Sequence, residues 1–287
     1  MKKLGSESSN TLLLITSIYQ SLSKAEQKVA DVVQGDAENT VYSSITDLAE
    51  AAEVGETTVI RFCRKLGFHG FQEFKLAIAQ DLVSPSQQVY GKIEEDDEIE
   101  VMCSKITANN MNTLQDTDQL LKSSDLHRVT QVLLSGKRVF FFGVGSSGLT
   151  ANDAQYRFMR LGFDAHCAVD SHVIAMNCSL VGEGDIVFGI STSGSTKDLV
   201  DAIRIAKNNG AFVICLTNHA RSPITSYADA VLLAAAKESP LQGGAFSSKI
   251  AQIHVLDILS TIVSIKRREM TFSALEHTAK AVLEKLY

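Results

Sequence analysis

The sequence predicts an α/β protein in two parts: an N-terminal all-α helix-turn-helix domain, then a doubly wound five-stranded parallel sheet of flavodoxin-like order 2-1-3-4-5. Three observations predict it. Residues 12–34, 42–52, 57–66 and 71–82 carry apolar residues at helical spacing. From Lys137 the pattern changes to five short, nearly continuous apolar runs at 138–142, 164–169, 185–190, 211–216 and 229–234. Helical segments at 147–161, 171–180, 196–209 and 222–228 separate those runs. Apolar strands alternating with helices imply a parallel sheet covered on both faces, wound by right-handed crossovers.

The elements follow in order. The first helical stretch, 12–34, is one helix or a pair, with Ser23 three residues before Glu26 as a capping box. A second helix is capped near Ser44 or Thr46, and a break at Val54-Gly55-Glu56 precedes a third, which Gly67 stops. Ser84-Pro85-Ser86 ends the helix at 71–82, and the acidic run Glu94-Glu95-Asp96-Asp97-Glu98 follows. This divides the chain into a helix-turn-helix domain at 1–83, a linker at 84–105 and the sheet domain at 106–287. Residues 101–135 are helical again, and helices at 246–267 and 272–286 close the chain.

Composition sets limits on function. The chain is 45% hydrophobic and 21% charged, an ordinary globular balance with room for a large core. A net charge of −6 excludes a wholly basic nucleic-acid coat protein. It leaves a DNA reader open, because phosphate contacts need only a local basic surface. Cys63, Cys103, Cys167, Cys178 and Cys215 form no C-x-x-C pair, which predicts reduced, buried thiols and no metal site. The apolar stretch at 12–15 is too short for a membrane span, and no other segment is read as one, so the expectation is a cytoplasmic protein without a membrane partner.

The helix pair from Ile45 carries apolar residues wherever two short, steeply packed helices must touch: Leu48, Ala49, Ala52, Val54, Val59 and Phe62. Glu53 stands where such turns usually carry glycine. The second helix is expected to expose Thr57, Thr58, Arg61, Arg64 and Lys65, side chains suited to phosphates, guanine edges and thymine methyl groups. An ordinary helical bundle with surface arginines fits the same pattern.

Two loops in the sheet domain point to an anion. After the third strand comes Ser191-Thr192-Ser193-Gly194-Ser195-Thr196, five hydroxyls and a glycine at the start of a helix. Helix N-termini attract anions through unpaired N–H groups, and hydroxyls add donors without charge. After the first strand, Gly143-Val144-Gly145-Ser146-Ser147-Gly148 matches G-x-G-x-x-G, and Asp170 ends the second strand. That combination fits a dinucleotide, unless Asp170 caps the next helix. In a 2-1-3-4-5 sheet the two loops are neighbours at the ligand crevice, which suits a compact phosphomonoester. A Ser/Thr-rich helix cap without ligand is the plainer reading of 191–196.

The Gly-Val-Gly-Ser-Ser loop, the Ser-Thr-Ser-Gly-Ser-Thr loop and Thr217…Ser222-Pro223…Ala228-Asp229 resemble the sugar isomerase (SIS) fold, which binds phosphosugars. A helix-turn-helix ahead of it, with Val59-Ile-Arg-Phe-Cys-Arg-Lys-Leu-Gly-Phe68 and Gly70-Phe71-Gln-Glu-Phe-Lys75, resembles the RpiR/MurR family of bacterial sugar-catabolism regulators over nearly the whole chain. The resemblance implies a phosphosugar effector held by Ser146, Ser147, Ser191, Ser193 and Thr196. It also implies a homodimer or homotetramer on double-stranded, palindromic operator DNA, with no cofactor. Gly243-Gly-Ala-Phe-Ser-Ser248 is expected to wall the pocket, with Ser247, Ser248 or Lys249 near the sugar, and a simple helix cap fits those residues equally well.

An SIS isomerase or lyase needs a carboxylate base, and often a histidine that opens the ring. Asp153 is the candidate base, expected instead to face solvent or pair with Arg157; His172 and His219 lie on plausible loops but read as structural or ligand-bonding groups. The expectation is binding without turnover, with an SIS-type enzyme and a dinucleotide-sensing repressor as alternatives.

Overall fold

The structure, a computed structural model, describes residues 11–82, 93–236, 247–283 and 285. They fall into two compact units, one within residues 1–109 and the other formed by 110–236 with 247–287.

The first unit opens with α1 (Thr11–Ile18), α2 (Lys24–Gly35), α3 (Ala37–Tyr42), α4 (Ile45–Ala51), α5 (Glu56–Lys65) and α6 (Phe71–Leu82). The capping box of α2 is present: Ser23 Oγ accepts the Glu26 N–H, and Glu26 accepts the Ser23 N–H at 2.8 Å. Ser44 and Asp47 form a second such box on α4. The six-residue α3, capped by Asp36, lies where no helix is expected from the sequence. Val29, Val33, Leu48, Val59, Phe62, Phe74 and Ile78 form the core, with Phe62 edge-on to Phe74 at 5.5 Å.

Helix α7 (Ile99–Leu120) spans the division between the units and begins inside the expected linker, so 99–105 is helical; residues 83–92 of that linker region lie outside the described residues. The second unit continues with α8 (Ser123–Ser135), β1 (Val139–Phe142), α9 (Ser146–Arg160), β2 (Ala165–Ala168), α10 (Ser171–Leu180), β3 (Ile186–Ile190), α11 (Lys197–Asn208), β4 (Phe212–Thr217), β5 (Ala230–Leu233), α12 (Ser247–Lys266) and α13 (Arg268–Leu283). The sheet is fully parallel in the order β2-β1-β3-β4-β5.

Alternation along the strands shows why the apolar runs are continuous. Phe141, Phe188, Ile190, Ile214 and Leu216 join one core with α9 and α12. Phe140, Phe142, Val187, Val213 and Cys215 join the other with α10 and α11. Both faces of the central strands β1, β3 and β4 are covered, so their positions are apolar almost throughout, while the edge strand β2 leaves His166 exposed.

Two sequence expectations need correction. By length and composition α12 is apolar enough to cross a membrane, contrary to the reading that no further segment approaches a span. Ala251, Val255, Leu256, Leu259 and Val263 are fully buried in the sheet's core, which accounts for its hydropathy. All five cysteines are free, but only Cys63, Cys178 and Cys215 are buried, with thiols pushed up by burial to about 12. Cys103 is exposed on α7 and Cys167 half-buried, because the edge strand β2 and the outer face of α7 are less covered than their composition suggests.

Candidate functional site

Strands β1 and β3 are hydrogen-bonded neighbours, so the loops that leave them lie next to each other at the C-terminal edge of the sheet, where open parallel sheets bind ligands. Gly145, at φ +62°, ψ −131°, adopts a backbone open essentially to glycine alone. A Cβ on Gly143 would stand 2.6 Å from the Ser147 carbonyl oxygen, so the strand can approach the helix only without one. Ser146 starts α9 half-buried, and Ser147 is buried in its first turn.

The β3–α11 loop is built on a pillar. Ser191 is buried, accepts the Gly194 N–H at 3.1 Å and lies 3.3 Å from Thr196 Oγ1. Gly194 turns at φ +62° directly over Ser222. Ser193 accepts the Ser195 N–H at 3.2 Å, and Thr192, Ser193, Ser195 and Thr196 stay half-buried. The N-termini of α9 and α11, behind Gly145 and Thr196, have no side-chain cap. Helices α2, α4 and α10 are capped by Ser23, Ser44 and Asp170. First-turn N–H groups without a side-chain acceptor, at the C-terminal ends of two neighbouring strands, are suited to an anion.

Helix α12 ties the loops together. Ser247 and Ser248 start it buried, and Ser248 Oγ accepts from Asn218 Nδ2 at 3.1 Å. Lys249 Nζ donates to the Ser146 carbonyl and, at 2.6 Å, to Thr150 Oγ1. Gln252 is fully buried; its Oε1 accepts from Thr150 Oγ1 at 2.8 Å and its Nε2 donates to Thr192 Oγ1 at 3.0 Å. Sequence reasoning passed over Thr150, Gln252 and Asn218. For Gln252 a signal existed: it is an amide inside the stripe Ala251, Val255, Leu256, Leu259. The Gly243–246 part of the expected third wall lies outside the described residues.

Both rival acids are committed elsewhere. Asp170 Oδ1 accepts the N–H groups of His172 and Val173 at 3.0 Å each, so it caps α10. Asp153 pairs with Arg157 at 2.6 Å, and Arg157 reaches on to Asp257 at 2.8 Å. His172 is exposed on α10, and the His219 N–H donates to Thr217 Oγ1. A cleft of about 310 Å³ lies at the opposite edge of the sheet, lined by Gly136, Gly184, Asp185 and Phe212. Its charges pair internally, Lys207 with Asp229 at 2.5 Å and Arg138 with Asp185 at 2.6 Å, which holds the Asp185 carboxyl below its usual range. Ligands of open parallel sheets bind at the other edge, where the hydroxyl loops are.

In the first unit α4 and α5 form the expected helix pair. Leu48, Ala49, Ala52, Val59 and Phe62 are buried and Val54 is half-buried. Helix α4 ends in a Schellman turn: the Val54 N–H bonds to Ala49 O and the Glu53 N–H to Glu50 O. Glu53 takes the left-handed position, φ +53°, that Gly67 (φ +98°) fills in the matching turn after α5. Its carboxylate pairs with Lys28 of α2 at 2.7 Å.

Thr57, Arg61 and Arg64 are exposed on α5. Thr58 is not: it is one turn before Phe62, faces the core, and its hydroxyl accepts from Arg61 at 3.3 Å. Lys65 is partly exposed but tethered, donating to Ser21 O at 2.6 Å and pairing with Glu26 at 3.2 Å. The Ser23 N–H bond, helped by Lys65, holds the Glu26 carboxyl below its usual range.

A helix pair of helix-turn-helix form and an α/β sheet with two hydroxyl-lined loops at one edge occur in one chain, and comparison with known proteins gives the class. The helix-turn-helix domain of the rpiR family matches residues 9–85, and the SIS domain matches residues 133–262. An uncharacterised HTH-type transcriptional regulator of Haemophilus influenzae is 36% identical over 97% of this chain and 98% of its own. HTH-type transcriptional regulator HexR of Escherichia coli is 34% identical over 96% of this chain and 95% of its own. The Vibrio vulnificus NanR protein, in its complex with ManNAc-6P, superposes with a TM-score of 0.86 at 31% identity, over 97% of this chain and all of that one. The chain belongs to the RpiR family of helix-turn-helix transcriptional regulators carrying an SIS domain. It is thus a member of a family of regulators and not of isomerases.

Proposed function

We propose that this protein is a DNA-binding regulator of carbohydrate catabolism, on an amino-sugar or sugar-acid pathway, controlled by a phosphorylated sugar in the SIS crevice. The observation that carries the reading is the pair of adjacent helix N-termini, α9 and α11, with no side-chain cap and a rim of hydroxyls from Ser146, Ser147, Thr192, Ser193, Ser195 and Thr196. NanR, similar over its whole length, is complexed with ManNAc-6P, a ligand of the class this geometry suits. Capping by Asp170 weighs against a dinucleotide, and the Asp153–Arg157 pair weighs against a catalytic base.

Thr57, Arg61 and Arg64 contact double-stranded operator DNA in this reading, Thr58 orients Arg61, and Lys65 braces α5. The protein works in the cytoplasm as a homodimer or homotetramer. Exposed Leu180 (78%) on α10 and Phe272 (64%) on α13 suit self-association. A phosphosugar that binds one arrangement of the oligomer better shifts the population between states of different operator affinity.

The test is a thermal-shift screen of hexose, amino-sugar, muramic and sugar-acid phosphates, with NADH alongside, followed by operator binding with and without the stabilising compound. One stabilising sugar phosphate, lost in Ser193→Ala and changing operator affinity, is expected. Stabilisation by NADH alone, or operator affinity unmoved by saturating sugar phosphate, refutes the reading.

A further inference from the structure

We infer that Thr192 meets the effector's anion as a hydrogen-bond donor, and that Lys249 and Gln252 on α12 impose this role through a one-way relay of hydrogen bonds. The inference rests on the anion-site reading above and deepens it.

The direction of the relay follows from its first member. An ammonium has protons and no lone pair, so Lys249 Nζ donates and Thr150 Oγ1 accepts. The single Thr150 proton is then directed to Gln252 Oε1 at 2.8 Å. This fixes the orientation of the Gln252 amide: its oxygen faces α9 and its NH₂ faces the β3–α11 loop. Gln252 Nε2 donates to Thr192 Oγ1 at 3.0 Å, so Thr192 receives a proton from behind and keeps its own for another acceptor. No acceptor for that proton is found among the described residues, and Thr192 stays half-buried at the crevice.

Two further observations fit this polarity. Thr150 and Gln252 are both fully buried, so water does not complete or reverse the bonds between them. The Thr192 carbonyl is itself pinned, accepting the Asn218 N–H at 3.1 Å and the Thr217 hydroxyl at 3.2 Å, which holds the residue in place from the other side. A hydroxyl that had to donate to Gln252 would offer an incoming anion only lone pairs. Here it offers a proton. Lys249 and Gln252 are positioning residues, and Thr192 is the group in contact with the ligand.

The test uses the full chain and radiolabelled inorganic sulfate in equilibrium dialysis at constant ionic strength, at pH ~5 and ~8. Sulfate stays dianionic across this range, so its own charge does not move. Thr192→Val is expected to weaken sulfate binding about tenfold at both pH values, the value of one hydrogen bond to an ion, and Thr192→Ser to retain it. Gln252→Glu keeps the side-chain shape, but its carboxylate at pH ~8 can only accept and takes the Thr192 proton. It is expected to lose about tenfold there and to regain most of that at pH ~5, where the buried carboxyl is protonated and again donates.

The double variant at pH ~8 is expected to bind no worse than Thr192→Val alone, because both changes remove one interaction. Simple repulsion between the new carboxylate and sulfate would instead multiply the two losses, and that result overturns the relay. Wild-type binding in Thr192→Val overturns it as well, even if Gln252→Glu fails to fold. No saturable sulfate binding by the wild type up to about 100 mM refutes the anion site itself, and the relay with it.

Discussion

Replacing Gly194 with alanine adds one methyl group at the tightest point of the β3–α11 loop. The new Cβ would lie 2.1 Å from Ser222 Oγ and 2.5 Å from Ser222 Cβ, well inside van der Waals contact. The backbone there has φ +62°, where an L-residue costs about 1–2 kcal/mol. Overpacking adds about 1–3 kcal/mol. The sum, about 2–5 kcal/mol, appears as lost stability if the loop holds its shape. If the loop rearranges instead, the cradle is misplaced, and about 2 kcal/mol corresponds to a roughly 30-fold loss of effector affinity. The assay is urea denaturation of the full chain beside thermal-shift titration of the stabilising sugar phosphate. Adding Ser222→Gly removes both clashing atoms and is expected to restore the overpacking share while leaving the backbone strain. A single variant within about 0.5 kcal/mol of wild type with unchanged affinity refutes the reasoning, as does a double variant no better than the single one.

Arg61→Ala and Arg64→Ala are each expected to weaken operator binding and to lower the slope of log affinity against log salt by about 1, measured by fluorescence anisotropy. Thr58→Val, which removes only the hydroxyl that orients Arg61, should weaken binding less than Arg61→Ala. Asp170→Ala should cost about 1 kcal/mol through the lost α10 cap and leave sugar-phosphate affinity unchanged, whereas a ribose-binding acid would show the opposite split. Lys75, on α6, is buried and donates to Ser43 O at 2.8 Å; burial pushes its pKa down to about 8, with Asp47 opposing. The unfolded lysine keeps its proton to about pH 10.4, so between those values the unfolded state binds more protons and stability rises with pH. Urea titrations at pH ~7.5 and ~10 should show the first unit gaining about 2 kcal/mol from this group, a gain absent in Lys75→Met.

Strand positions, strand order and both hydroxyl loops were legible because each depends on local pattern: strands covered on both faces are almost wholly apolar, and the loops announce themselves by glycine and serine. Asp170 was legible only as a choice between two roles. Its side chain lies within reach of the N–H groups two and three residues on, and only coordinates decide whether it uses them. Thr58 was misplaced although helical arithmetic puts it one turn before Phe62; its hydroxyl suggested exposure, and the arginine it orients hides that polarity from the core. Gln252 could not be assigned a partner from sequence, since Thr150 and Thr192 lie 102 and 60 residues away. Helix α3 escaped because six residues held by an Asp36 cap leave too little periodicity to read.

Helix α2 and the turn before it clamp α5, the proposed recognition helix, at both ends. Lys28 pairs with Glu53 in the turn that leads into α5, and the opening of α2 holds Lys65 at the other end through Ser21 O and Glu26. The Lys28–Glu53 clamp is an exposed ion pair and the Lys65 end of the other is half-exposed, so dissolved salt loosens them by the same screening that weakens arginine–phosphate contacts. Rising ionic strength therefore screens the proposed contacts to operator phosphates and also slackens the bracket around α5. The salt dependence of operator binding should then count more ions than there are phosphates contacted, and neutralising Lys28 and Glu53 together should bring the two numbers closer.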